Sequence, residues 1–375
     1  MELVAPHVII VGGGPAGSTC ARTLTRAGAR VAILDRAEFP RVKLCAGWLS
    51  PPFWDVVGVS RGNYPHGLWE WSTCHVHFHG EHHALPGKGW FIRRVELDSW
   101  LLETSGAERI TQNVKSIERK DGVWHVGELR AKYLVGAGGT HCPVARVVDP
   151  VRPRRAVGVQ ELELPADPVA VARTRLGNDG EPELVLFDDI SGYGWNVPKR
   201  DWLNVGCGTL DATRVRDMWT HTKQVIGPHL PAEADIEHVK GHSYFLFNPA
   251  HIDGAYRDGA YLVGDSLGLA HPLTAEGILP SVLSGKLAAE SILDGGDYRA
   301  RLRAHPILAD FRRVHGLLEL ARKARKPAAN GTPTSKPPGK LGRRAMAQGF
   351  AWMFSGARLP MPRLIDAVME VARVR

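Results

Sequence analysis

No apolar run in this chain approaches the ~20 residues of a membrane-spanning helix, so no helical span is expected. No two cysteines stand in a CxxC spacing, and the five present (Cys20, Cys45, Cys74, Cys142, Cys207) lie far apart. An odd, dispersed set argues against a disulfide framework and for a reducing compartment. An apolar, strand-like run begins almost at the amino terminus, so no secretory signal is expected, and the chain reads as cytoplasmic or peripheral at a membrane. Acidic residues are scarce at the other end. From Arg301 to Arg375, 16 Lys or Arg face only Asp310, Glu319, Asp366 and Glu370, a net of 16 − 4 = +12. The whole chain carries +8, so the first 300 residues are net 8 − 12 = −4. A basic tail suits an anionic membrane surface or a solvated face; no nucleic-acid partner is expected.

What is present is enough for a large core and two domains: 375 residues, 44% hydrophobic and 23% charged. The chain is organised around Pro6 to Asp35. An apolar run (His7 to Val11) leads into Gly12-Gly13-Gly14-Pro15-Ala16-Gly17, then a helix-compatible segment to Gly28, then a second apolar run (Arg30 to Leu34) ending on Asp35. Strand, glycine turn, helix, strand and terminal carboxylate are the parts of a dinucleotide-binding βαβ unit. Gly12 permits the tight turn, Gly14 lets backbone approach a pyrophosphate, and Gly17 lets the helix pack on the strand. The helix N-terminus offers free N–H groups and partial positive charge to phosphates, and Asp35 can accept from a ribose diol.

Further along, Phe39 to Pro51 reads as a loop bordering the cofactor, with a short helix from about Pro52. Residues 68–79 alternate as a strand. His75, His77 and His79 share its one face, but three histidines on a single strand do not converge on an ion without a partner element, so no metal is assigned. A helix is expected from Ile92 to Leu102, and strands at 109–118, 123–127 and 133–135. The second glycine turn, Gly136 to Gly139, lacks a third glycine and an amphipathic helix, and is not a second dinucleotide fingerprint. Four strand-like segments between 155 and 209 predict an antiparallel sheet. A helix from about Ala212 to Ile226 follows, then a buried strand from Ala260 ending on Asp265, and a helix from about Gly277 to Leu293. Pro, Gly, Lys and Thr between 328 and 342 predict a flexible loop. Met346–Phe354 and Leu364–Val371 read as short apolar helices, placed on the core or on a bilayer surface.

These residues resemble FAD enzymes of the para-hydroxybenzoate hydroxylase fold, and within them the geranylgeranyl reductase family. Five motifs over residues 1 to about 300 carry the resemblance. They are Gly12–Gly17 with Asp35; the Lys43 to Pro51 loop with its Cys45; Arg94-x-x-Leu97-Asp98-x-x-Leu101; Tyr193-Gly194-Trp195-Asn196-Val197-Pro198 with Asn204-Val205-Gly206-x-Gly208; and Gly264-Asp265 through Pro272 to Gly277-Ile278. The family's Asp-Gly and following serine are here Gly138-Gly139 and Cys142, and its two phenylalanines are here Val197 and Leu97.

The resemblance implies an α/β fold: an FAD-binding Rossmann-like domain (1–67, 94–154, 256–300), an inserted antiparallel-sheet substrate domain (68–93, 155–255) and a C-terminal helical region (301–375). It implies FAD contacts at Gly12, Gly14, Pro15, Ala16, Gly17, Asp35, Arg36, Arg94, Val114, Asp265, Pro272, Gly277 and Ile278. Cys45 is the catalytic candidate, with a buried inert thiol as its competitor. Trp48, Tyr193 and Trp195, with Trp54, Trp69, Trp71 and Trp90, are expected to wall an apolar substrate cavity. The N–H groups at Gly277 and Ile278 can stabilise negative charge on a reduced flavin. The implied activity is reduction of C=C bonds in an apolar, isoprenoid-like substrate, with NAD(P)H or ferredoxin as electron donor. A flavin monooxygenase or halogenase on the same fold, and a non-catalytic flavin- or lipid-binding protein, remain open alternatives.

Overall fold

The computed structural model describes residues 6–150, 156–172, 180–324 and 339–355. The first sheet contains β1 (Val8–Val11), β2 (Val31–Asp35), β6 (Glu108–Thr111), β10 (Tyr133–Gly136), β16 (Tyr256–Arg257) and β17 (Ala260–Leu262), in the order β16-β17-β10-β1-β2-β6. All pairs are parallel except β16–β17. Val8 to Val11 and Val31 to Leu34 are buried throughout, as expected for strands covered on both faces. One face carries α1 (Pro15–Arg26) and α7 (Ile278–Asp294), which pack on each other with no room at the crossing: a Cβ on Gly285 would sit 2.2 Å from the Ala16 carbonyl oxygen. α3 (Arg94–Glu103) and α4 (Pro143–Val148) complete this half.

The second sheet has eight strands in the order β15-β11-β14-β13-β12-β4-β5-β3: β3 (Trp48–Leu49), β4 (Trp69–Phe78), β5 (Glu81–Phe91), β11 (Ala156–Pro165), β12 (Glu183–Leu186), β13 (Gly192–Pro198), β14 (Trp202–Thr209) and β15 (Lys240–Phe245). It is antiparallel except where β12 pairs with β4. One face is covered by α6 (Val215–Ile226), with Val185, Phe187 and Cys207 packed on Met218 and Trp219. The other face packs against α10 (Lys340–Phe354), whose Phe350, Met353 and Phe354 are buried with Trp48 and Trp71. Small elements fill the margins: α2 (Pro52–Val57), α5 (Pro168–Ala172), α8 (Tyr298–Ala304), α9 (Pro306–Ala324), and a three-stranded sheet of β7 (Ile117–Lys120), β8 (Val123–Val126) and β9 (Leu129–Ala131).

Two expectations change. The single strand expected at 109–118 is two, β6 and β7, in different sheets. The expected loop at 328–342 ends sooner, because Lys340–Gly342 already form the first turn of α10; residues 325–338 lie outside the described residues. Of the two placements open for the apolar segment at 346–354, the structure takes the core. The segment at 364–371 lies outside the described residues. Among the described residues no helix is long and apolar enough to cross a membrane.

Candidate functional site

The site starts where β1 ends. Gly12 has φ +111°, and a Cβ there would lie 2.4 Å from the Ala137 carbonyl oxygen. A Cβ on Gly17 would lie 2.0 Å from the Gly12 carbonyl oxygen, so helix and turn touch backbone to backbone. Gly14 differs: its Cβ would meet only Arg41 Nη2, at 3.4 Å. The protein itself does not demand glycine there. Gly14 is the N-cap of α1 and supplies no side-chain cap, so the first N–H groups of the helix are left for another acceptor. The Asp35 carboxylate accepts from the backbone N–H of Gly13 (2.7 Å) and Ala37 (3.0 Å), tying the glycine turn to the end of β2.

Beyond the turn stands a buried charge network. Arg94 donates to both oxygens of Asp98, at 2.6 and 2.8 Å, and Arg41 lies 3.3 Å from the same carboxylate. Burial works against the Arg94 charge, but Asp98 and the Cys45 thiol raise its pKa above the ordinary value. Cys45 also accepts from the Gly47 N–H at 3.4 Å. Burial pushes the Asp265 carboxyl up, against the opposing pull of Lys43, Arg94 and His242.

The loop from His271 to Gly277 is held by its own first residue. Burial drives His271 down to about 3, so its ring is neutral, and Nδ1 accepts from the N–H of Leu273 (3.2 Å) and Thr274 (3.0 Å). The His271 N–H donates to the Glu276 carbonyl (2.9 Å), and Ala275 takes φ +58° at the bend. This closed turn sets Glu276 immediately before Gly277, the uncapped N-cap of α7. Ser50 Oγ donates to Glu276 Oε1 at 2.6 Å. Burial outweighs that bond and raises the Glu276 carboxyl to about 7. Tyr193 reaches over from β13, its hydroxyl donating to the Thr274 carbonyl at 2.5 Å.

These parts line one cavity of about 1190 Å³. Of the sequence-predicted residues it brings together Gly12, Pro15, Ala16, Asp35, Arg36, Cys45, Trp48, Arg94, Val114, Tyr193, Trp195, Asp265, Gly277 and Ile278. Gly14, Gly17 and Pro272 are not on its wall; Gly17 and Pro272 are buried behind it. The far end is aromatic: Trp48, Tyr193 and Trp195, closed by Phe354 of α10. The Trp48 indole N–H donates to the Phe354 carbonyl at 3.0 Å, and the two rings are 4.5 Å apart. Trp54, Trp69, Trp71 and Trp90 do not line the cavity: Trp54 and Trp90 pack with α2, α3 and α7, and Trp69 and Trp71 belong to the core beneath α10. Glu276, Ser50, His271 and Phe354 were not singled out from sequence. The signal for Glu276 was its place beside the glycine of the fifth motif; Phe354 gave none, lying some 300 residues from its partner.

A dinucleotide cofactor fits this cavity. Two uncapped helix N-termini, those of α1 and α7, belong to the glycine turn and the Asp265 loop that bound it, suited to phosphate and to an electron-rich ring edge. The three histidines expected on one strand face part company: His79 lies in the turn beyond β4, with φ +49°, and meets Asp188, while His77 on β4 meets Glu183 and His229 from two other elements.

Comparison with known proteins agrees with this geometry. The family profile for an NAD(P)-binding Rossmann-like domain matches residues 10–42. Geranylgeranyl diphosphate reductase of Rhodobacter capsulatus is 29% identical over 308 residues, covering 76% of this chain and 74% of that protein. Menaquinone reductase of Mycobacterium tuberculosis is 26% identical over 346 residues, covering 77% of each. Among solved structures, a geranylgeranyl bacteriochlorophyll reductase-like protein from Thermoplasma acidophilum superposes with a TM-score of 0.67 at 16% identity, over 99% of this chain and 96% of that one. With a Rossmann turn, an eight-stranded sheet and one cavity joining them, the chain is an oxidoreductase similar to the geranylgeranyl reductases.

Proposed function

We propose that this enzyme reduces a carbon–carbon double bond in an apolar, isoprenoid-like substrate, with Glu276 supplying the proton. The observation that carries the reading is a protonatable, half-buried carboxyl on the wall of a cavity that is polar on the Asp35 side and aromatic on the Trp48 side. The residues for FAD are Gly12, Gly14, Pro15, Ala16, Gly17, Asp35, Arg36, Arg94, Val114, Asp265, Pro272, Gly277 and Ile278, on a cofactor-binding unit of 1–67, 94–154 and 256–300. Gly17 and Pro272 act from behind the wall, by shaping the glycine turn and the loop. Bound there and reduced, FAD supplies a hydride.

The chain does the rest. The α7 N-terminus favours negative charge at Gly277 and Ile278. Tyr193, Trp195, Trp48 and Phe354 exclude water and hold an apolar chain. Hydride at one alkene carbon and the Glu276 proton at the other give two new C–H bonds, and the carboxylate left behind regains its proton from solvent. Cys45, beside Arg94, positions the ring-side loop. The named relatives act on geranylgeranyl diphosphate and on menaquinone, both carrying isoprenoid chains, which supports the substrate class.

The test is anaerobic turnover. Enzyme whose flavin has been reduced is mixed, without oxygen, with a polyprenyl substrate, and products are read by mass spectrometry. Saturated product supports the reading; product only when oxygen is admitted points to a monooxygenase or halogenase. The same samples, reduced with NADPH or with ferredoxin, identify the donor.

A further inference from the structure

The second sheet presents two faces, and at β12 and β13 the cavity uses only one. Leu184 and Trp195 line the cavity. Glu183 and Asn196, their neighbours and a registered pair on β12 and β13, therefore face the other way, toward α6. Glu183 is almost fully buried there, with 4% of its side chain exposed. Two imidazoles converge on its Oε2: His77 Nε2 from β4 at 3.2 Å, and His229 Nδ1 from the 3₁₀ turn after α6 at 2.6 Å. All three ligand atoms lie within 4.8 Å of one another. Asn196 Nδ2 donates to the other carboxylate oxygen at 3.0 Å, which leaves Oε2 alone to face the imidazoles. His82 stacks on His77, ring centroids 5.0 Å apart, and itself meets His75 at 2.8 Å.

We propose that His77, Glu183 and His229 form a binding site for a divalent metal ion of the zinc class, with water as the fourth ligand. Metal–nitrogen bonds of about 2.0–2.1 Å in tetrahedral geometry set neighbouring ligand atoms roughly 3.3 Å apart. The His77–Glu183 separation already matches, and the His229–Glu183 pair needs to open by well under an ångström. Two imidazoles and a carboxylate are a donor set suited to zinc. The outer partner that fixes a ligating carboxylate is present as Asn196. Three elements are tied by one ion: the β4–β5 hairpin, β12 and the end of α6. The ion thus clamps α6 onto the back of the sheet whose front walls the cavity. A buried carboxylate merely satisfied by two histidines is the competing account, and it requires no ion.

The test uses the full, flavin-loaded chain, stripped with a chelator and dialysed against zinc alone. The site predicts one zinc retained per chain by elemental analysis, and a melting temperature that rises with zinc. The His77→Ala/His229→Ala double variant loses the bound zinc and the melting shift, Asn196→Ala weakens binding roughly tenfold or more, and His79→Ala, which removes the Asp188 pair and a ring contact with Phe78 but no proposed ligand, keeps both. If the double variant does not fold, His229→Gln, of similar size, replaces it and is expected to lose the zinc. A wild-type chain that retains no zinc, or a folded variant that retains as much as wild type, overturns the proposal. None of these outcomes depends on turnover, so failure here leaves the reductase reading untouched.

Discussion

At the scale of single residues, Glu276 is a cavity-lining carboxyl that its environment holds well above the ordinary carboxylate range. Its carboxyl sits near 7 because burial disfavours the charged form more than Ser50 favours it. As a proton donor it is competent below about 7 and spent above. The Glu276→Gln variant should therefore keep its flavin, lose turnover by about 10²-fold near neutrality, and lose the alkaline fall in rate that wild type shows around pH 7. Stability carries the same signature. The folded carboxyl binds its proton more tightly than the unfolded one, whose value is 4.5. The contribution is therefore full below about 4.5 and is lost as pH rises from there through about 7; denaturant titration of wild type and Glu276→Gln across that window reads it. The glycines make a second residue-scale contrast. Gly17→Val collides with the Gly12 carbonyl and should lower the melting temperature of flavin-free protein. Gly14→Val meets only a movable arginine end, so the flavin-free melting temperature should hold while flavin binding is lost. Equal destabilisation by both would remove the argument that Gly14 is reserved for a ligand.

At the scale of elements, α10 is both core and lid. Its Phe350, Met353 and Phe354 pack against the second sheet, and Phe354 closes the far end of the cavity. Truncation of one of these rings, Phe354→Ala, should cost about 3 kcal/mol and relax the selection of substrate chain length, measured by melting and by competition between short and long polyprenyl substrates. This helix also shows where sequence reading stops. Its apolar residues were visible, but whether they met lipid or protein depended on Trp48, three hundred positions earlier. The βαβ unit was legible because every part of it is local: two strands, a glycine turn and a helix within thirty residues. α9 was not placed from sequence although Ile307, Phe311, Val314 and Leu318 recur at helical spacing, because the motifs that organised the reading end at about residue 300. The metal-site candidate escaped for the same reason as α10. One histidine lay on a legible strand, but its partners Glu183 and His229 are separated from it by 106 and 152 positions and meet it only through strand pairing and the fold-back of α6. Among the seven aromatics expected at the cavity, three reach it; alternation assigns a face to a strand residue but not which layer lies against that face.

At the scale of the whole molecule, the two sheets divide the work. The parallel sheet ends in glycine turns and helix N-termini, which suit phosphates and an electron-rich ring. The larger sheet turns one face to α10 and the aromatic end of the cavity and the other to α6. The cavity joins them, and Glu276 stands on its wall. The central claim is that this cavity delivers a hydride and a proton to the two carbons of one double bond. The most direct measurement is anaerobic single turnover in deuterated water with a polyprenyl substrate and pre-reduced wild-type or Glu276→Gln enzyme. The account predicts, for wild type, a saturated product with solvent-derived deuterium at both former alkene carbons, because the N–H of reduced flavin also exchanges with solvent, and slowed formation of that product in the variant. Product that forms only with oxygen, or at the same rate in both enzymes, would contradict it.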